Sequence, residues 1–320
     1  MIYPRNRFQS SSSKGLPLNK GTGALRIVVP VFLLIAAAGI VYFLSSDGFG
    51  FLNFNRADDA RSMRQSWDSG DYQAVIQESQ TILKEHPMDG QALVFAGFSH
   101  FYTGVNQVSD EQKENHLNRT VVFLRKALVL DHPPLAGQLN YVLGKAYYHK
   151  GKHYYDLAVQ YLEKSVDLGY LGDDTYEYIA LAYAAMGMLS DSASNLLKAI
   201  DQKPSDLIFL TLSQTYAQMG ETRRAEQYLT KAIDGSADAY LIQQAHFELG
   251  KILLDKGEMD RAQSEFRQIL ESNPKSADAH YYLGKVYEAA GERDKARYEW
   301  REALRIDPNH TKALQDLRNN

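Results

Sequence analysis

Between Arg56 and Pro308 the chain repeats one pattern of about 34 residues six or seven times, and the last copy shows it most plainly. That copy places Ala279, Leu283, Gly284, Tyr287, Gly291, Ala296, Trp300, Ala303 and Pro308 at fixed intervals. A unit this short cannot bury an apolar face alone, so each copy must stack on a neighbour and one register dictates the whole fold. Apolar and small residues recur at spacings of three and four, which marks two amphipathic helices, and the central glycine marks the turn between them. Leu283, Gly284 and Tyr287 share one face of the first helix. Ala296, Trp300 and Ala303 share one face of the second, where the alanines let the two backbones approach closely. Asp307-Pro308 ends the unit, because proline lacks an amide hydrogen and disfavours helix in the residue before it.

Reading backwards recovers the other copies. One carries Leu249-Gly250, Leu253, Gly257, Ala262, Phe266, Ile269 and Pro274, and another Ile179-Ala180, Tyr183, Gly187, Ser192, Leu196, Ala199 and Pro204. Leu212-Ser213, Tyr216, Gly220, Ala225, Leu229 and Ala232 form a copy that runs on through Asp234-Gly235-Ser236 without a closing proline. Leu143-Gly144, Tyr147, Gly151, Ala158 and Leu162 form another, with two extra residues near His153-Tyr154-Tyr155 that lengthen its turn. Gly97, Gly104, Leu124, Ala127 and Leu128 fit if residues 105–118 are an insertion, expected as a polar loop or extra turn. The first copy, with Gly70-Asp71-Tyr72, Val75, Ile82 and Pro87, lacks the Leu-Gly pair and reads as a divergent cap. After Pro308, Ala313 and Leu317 place a short capping helix over 309–320.

This spacing resembles the tetratricopeptide repeat family over about four fifths of the chain. The resemblance implies an all-α fold, a right-handed superhelical solenoid of antiparallel helix pairs, and binding of proteins rather than catalysis. It also places the first helix of each pair along a groove that holds an extended peptide or a partner helix.

Ahead of the repeats, residues 1–26 contain five basic residues, Arg5, Arg7, Lys14, Lys20 and Arg26, and no acidic one, so they read as a basic cytoplasmic tail. Residues 27–44, Ile27 to Leu44, are uncharged and include twelve from the Ile, Val, Leu and Phe group. As a helix they reach about 27 Å, close to the roughly 30 Å of a hydrocarbon core, so a transmembrane helix is expected there. A secretory signal cut after Ala36-Ala37-Ala38 is the competing reading. Residues 45–55 form a tether. Basic residues before the span, and Asp47, Asp58 and Asp59 after it, put the N-terminus in the cytoplasm and the repeats outside an inner membrane, in a periplasmic space.

All 39 acidic residues follow Ser46, against 30 basic ones, so the repeat region is acidic and unsuited to binding nucleic acid. With no cysteine there is neither a disulfide framework nor a thiolate site. No phosphate-binding loop, nucleophile elbow or zinc-protease motif occurs, and neither an enzyme activity nor a cofactor is expected. His149 and His153 have the spacing of a helical metal pair, but Gly151 lies between them at a turn, so no metal site is expected either.

The candidate groove residues lie on first helices. The position after the Leu-Gly pair is Lys145, Lys251 and Lys285 in three copies, accompanied by Phe98, Phe101, Tyr102, Tyr141, Tyr148, Phe247 and Tyr281. Ammonium groups beside aromatic faces suit an acidic or C-terminal peptide. Family members that clamp chaperone tails place asparagine where these lysines stand, so this chain departs from that clamp. The resulting expectation is a membrane-anchored scaffold or adaptor in a cell-envelope complex for motility, secretion or cell-wall work. The alternative is an import-type receptor on the outer mitochondrial membrane with cytosolic repeats.

Overall fold

The computed structural model describes residues 59–319, which form fifteen helices and, among the described residues, no strand. They are α1 Asp59–Asp68, α2 Tyr72–Glu85, α3 Gly90–Val105, α4 Asp110–Leu128, α5 Ala136–Lys150, α6 Tyr155–Asp167, α7 Thr175–Ala185, α8 Leu189–Gln202, α9 Asp206–Gln218, α10 Thr222–Gly235, α11 Ala239–Asp255, α12 Met259–Ser272, α13 Ala277–Ala289, α14 Arg293–Ile306 and α15 Thr311–Asn319. The chain divides after Leu171 into two compact units. The first holds the hairpins α1–α2, α3–α4 and α5–α6; the second holds α7–α8, α9–α10, α11–α12 and α13–α14, followed by α15. The basic tail, membrane span and tether expected at 1–26, 27–44 and 45–55 lie outside the described residues. Among the described residues no helix is long and apolar enough to cross a membrane.

Each hairpin begins with its turn. In the last one Gly291 adopts φ 80°, and this left-handed residue lets the Glu292 amide donate to the Tyr287 carbonyl at 2.8 Å and its own amide to Glu288 at 3.0 Å. Two orphan carbonyls at the end of α13 are satisfied together in this way. The same pair of bonds forms at Gly70, Gly187, Gly220 and Gly257. The α5–α6 turn instead takes the four residues Gly151–Tyr154 and lacks the longer bond, which is where the sequence carries its extra residues. Side chains of Asp89, Ser205, Asp238 and Ser276 cap first helices, and α2, α8, α12 and α14 stop two residues before Pro87, Pro204, Pro274 and Pro308.

The Leu-Gly glycines are where the two helices of a hairpin meet. A Cβ on Gly284 would stand 2.4 Å from the Trp300 indole nitrogen, and one on Gly144 would stand 2.5 Å from Leu162 Cγ. Trp300 is wholly buried and donates from Nε1 to the Tyr281 carbonyl at 3.2 Å, so its only polar atom is satisfied inside the core. Phe266 takes the equivalent place beneath Gly250, and Leu124 beneath Gly97.

The inserted segment differs from the loop that its polarity suggests. After a turn over 106–109, Ser109 caps α4, which starts at Asp110 and runs 19 residues. Asp110 and Glu111 sit in the first turn, where carboxylates complement the helix dipole, and Leu117 is buried. The insertion is therefore extra helix, amphipathic rather than apolar.

Candidate partner-binding surface

In the first unit the aromatic residues of α1, α2, α3 and α5 form a continuous set of ring contacts. Trp67 meets Phe95, Phe98, Tyr72 and Tyr102, and Tyr72 stacks on Tyr102 with centroids 5.2 Å apart. Phe101 contacts Tyr102 and His149, and Tyr148 contacts His149 and Tyr155. Phe98 and Phe101 are buried, so they support this surface rather than line it; Tyr102, Tyr141, Lys145 and Tyr148 are half-buried and reach solvent. The spacing of Tyr141, Lys145 and Tyr148 puts all three on one face of α5. The Lys145 ammonium lies 5.0 Å from the Tyr141 ring centroid and 5.9 Å from that of Phe101, and donates to the Tyr141 hydroxyl at 3.1 Å. Ring quadrupole and hydroxyl together fix the cation over an aromatic floor.

In the second unit the corresponding lysines face carboxylates of the chain itself. Lys251 donates to Glu248 at 3.0 Å and stands over the Phe247 ring. Lys285 bonds Glu288 and lies 3.4 Å from Asp316 on α15. Burial alone would lower the Lys285 ammonium, but the hydrogen bonds and charges of Glu288 and Asp316 outweigh it and hold the group above its usual range. Tyr281 is buried and donates its hydroxyl to Asp316 at 3.0 Å; burial first, then that carboxylate, raises its phenol. Tyr281 is accordingly a core and cap contact, and Phe247 is half-buried against Phe266 and Tyr282. All three lysines lie against a ring, Lys145 over Tyr141, Lys251 over Phe247 and Lys285 over Trp300, and the last two also reach glutamates three positions away.

Several polar pairs escaped the sequence reading. His246 donates to Glu265 and His280 to Glu299, each at 2.7 Å, joining the first and second helices of the last two hairpins. Both pairs span nineteen residues and recur at the 34-residue period, so the period itself carried the signal. His100 on α3 and His116 on α4 meet at 3.0 Å through their Nδ1 atoms, a contact that only the long α4 allows. His149 lies in the last turn of α5 while His153 lies in the turn Gly151–Tyr154, so no helix face carries both, and no group of three or more metal-ligating side chains occurs among the described residues.

Comparison with known proteins agrees with this architecture. Residues 210–263 and 247–311 match the tetratricopeptide repeat family model. DnaJ homolog subfamily C member 3 of Bos taurus is 32% identical over 91 residues, 28% of this chain and 18% of that protein, and the Rattus norvegicus protein is 30% identical over the same shares. The chain thus spans under a fifth of the length of these curated relatives. Among solved structures, YrrB, described as a TPR protein with an unusual peptide-binding site, is 22% identical, with 75% of this chain and 97% of that one covered and a TM-score of 0.37. MamA of AMB-1 is 22% identical, with 53% and 98% covered and a TM-score of 0.45. Residues 210–311 therefore match tetratricopeptide repeats, within a chain whose described residues are helical hairpins throughout.

Proposed function

We propose that this tetratricopeptide-repeat chain is a non-enzymatic, membrane-anchored adaptor that holds a protein or extended peptide of a cell-envelope complex against its first unit. The observation that carries the reading is the half-buried aromatic surface of α3 and α5, with Lys145 held over the Tyr141 and Phe101 rings. Large, stiff aromatic side chains give contact area at low entropic cost, and a cation held among them adds selectivity for a carboxylate-bearing ligand. At Lys251 and Lys285 an acidic ligand competes with Glu248, Glu288 or Asp316. Apolar contact with the aromatic surface supplies most of the affinity.

Anchoring rests on the uncharged run Ile27 to Leu44, and an orientation with the repeats outside the cytoplasm rests on the five basic residues before it. Reporter fusions read this directly. Alkaline phosphatase joined after residue 320 is active only outside the cytoplasm, and its activity is the expected result for a bacterial host. Activity instead from a cytoplasmic reporter at the same position would favour the receptor-type topology, with repeats in the cytosol.

A further inference from the structure

We infer that the cavity between α2, α3 and α4 is a receptor for a tetrahedral oxyanion of the phosphate class, on a part of the first unit distinct from the aromatic surface. The cavity is open to solvent on one side, holds about 240 Å³ and is lined by Gln73, Ile76 and Gln80 of α2, His100 of α3, and Asn115, His116 and Arg119 of α4. No carboxylate is among these residues, so the Arg119 guanidinium brings a positive charge that nothing in the lining balances. Amide, imidazole and guanidinium groups approach from three helices. That suits a tetrahedral anion, which offers oxygens on every side, better than a planar carboxylate with two.

His100 supplies the second observation. Its residue is only 3% exposed, it lines the cavity, and its Nε2 is buried without a hydrogen-bond partner. When His116 Nδ1 donates across the 3.0 Å contact, His100 carries its proton on Nε2. A buried N–H without an acceptor is costly, and an oxyanion seated in the cavity removes that cost once the ring turns Nε2, closed to solvent in this structure, toward it. Burial, then His116 and then Arg119 hold the His100 imidazole down to about 4, and His116 is lowered by burial and Arg119, so both rings are neutral near pH 7 with the tautomers free to adapt.

The test follows the histidine ring resonances of the full chain by NMR while inorganic phosphate is added at pH 7 and constant ionic strength, with chloride as control. His116→Gln assigns the pair. Saturable shifts of both rings are expected. Their titration midpoints should rise in phosphate, since an anion stabilises the imidazolium. Apparent affinity should fall about tenfold in Arg119→Gln, the worth of one charge-assisted hydrogen bond. Arg119 is exposed, so this variant leaves the core intact. A phosphoserine peptide run in parallel distinguishes sources: saturation by it at lower concentration than free phosphate assigns the site to a modified partner, and the reverse assigns it to the free ion. Absence of a saturable shift in either arm, equal shifts in chloride, or shifts unaltered in Arg119→Gln would overturn the assignment.

Discussion

Single residues decide how closely the hairpins close. Gly284 has no room for a methyl group, because Trp300 occupies that space and is itself held by the Tyr281 carbonyl. Alanine is the better helix former by about 1 kcal/mol, yet overpacking a rigid indole costs roughly 1–3 kcal/mol. Gly284→Ala is therefore expected to lower the denaturation midpoint, and Trp300→Ala to lower it further by about 3–5 kcal/mol in stability; a stabilised Gly284→Ala protein would contradict the packing described. His100 sets a pH dependence. Its imidazole is held at about 4 in the fold against an ordinary value near 6.5, so between these values the unfolded chain binds more protons than the folded one. Stability contributed by this group is complete above pH 6.5 and declines, by up to about 3 kcal/mol, as pH falls to 4. Denaturant unfolding of the wild type should lose more stability across that window than His100→Gln does; parallel curves would mean that the buried pair is not coupled to folding. Residues also show where sequence reading stops. The Leu-Gly pairs and turn glycines are local in sequence and were legible; the glutamates three positions from Lys251 and Lys285 are equally local and were passed over. Asp316 reaching Lys285, or His116 reaching His100, requires the stacking of separate helices, and no spacing rule announces either contact.

At the scale of elements, the long α4 is the least regular part of the repeat pattern. Its residues 110–118 looked like a loop because they are polar, and polarity without a visible apolar stripe is the usual mark of one. What organises them is a Ser109 cap, acidic residues in the first turn and one buried leucine, Leu117. A second tie comes from α5: the Lys150 side chain, only 6% exposed, donates to Glu114 and Asn118, and its ammonium lies 4.9 Å from the Tyr154 ring centroid. Lys150→Met keeps the buried stem and removes these bonds. It is expected to raise amide exchange over residues 110–118 by an amount equivalent to about 1–3 kcal/mol while leaving α13 and α14 protected. Unchanged exchange in the variant would show that the cap and Leu117 suffice to hold the start of α4. The turns tell the opposite story, since each Schellman pair needs only one left-handed glycine and was readable one hairpin at a time.

For the whole molecule, the repeat period foretold helical hairpins, and within each unit the helices pair accordingly, from α1–α2 to α5–α6 and from α7–α8 to α13–α14. It did not foretell the contact of Lys285 with Asp316, because the period fixes where Lys145, Lys251 and Lys285 sit on their helices and not which charges of other elements reach them. The aromatic surface of α3 and α5 concentrates the proposed function in the first unit and makes it directly testable in cells. A photoreactive amino acid in place of Tyr148, on the aromatic surface, is compared with one in place of the well-exposed Val129. The account predicts crosslinks from position 148 to one envelope protein, strongly reduced by Lys145→Glu and little changed by Lys285→Glu, with none of that protein captured from position 129. Absence of a crosslink at 148 in a folded protein, or capture of the same partner equally from both positions, would contradict it.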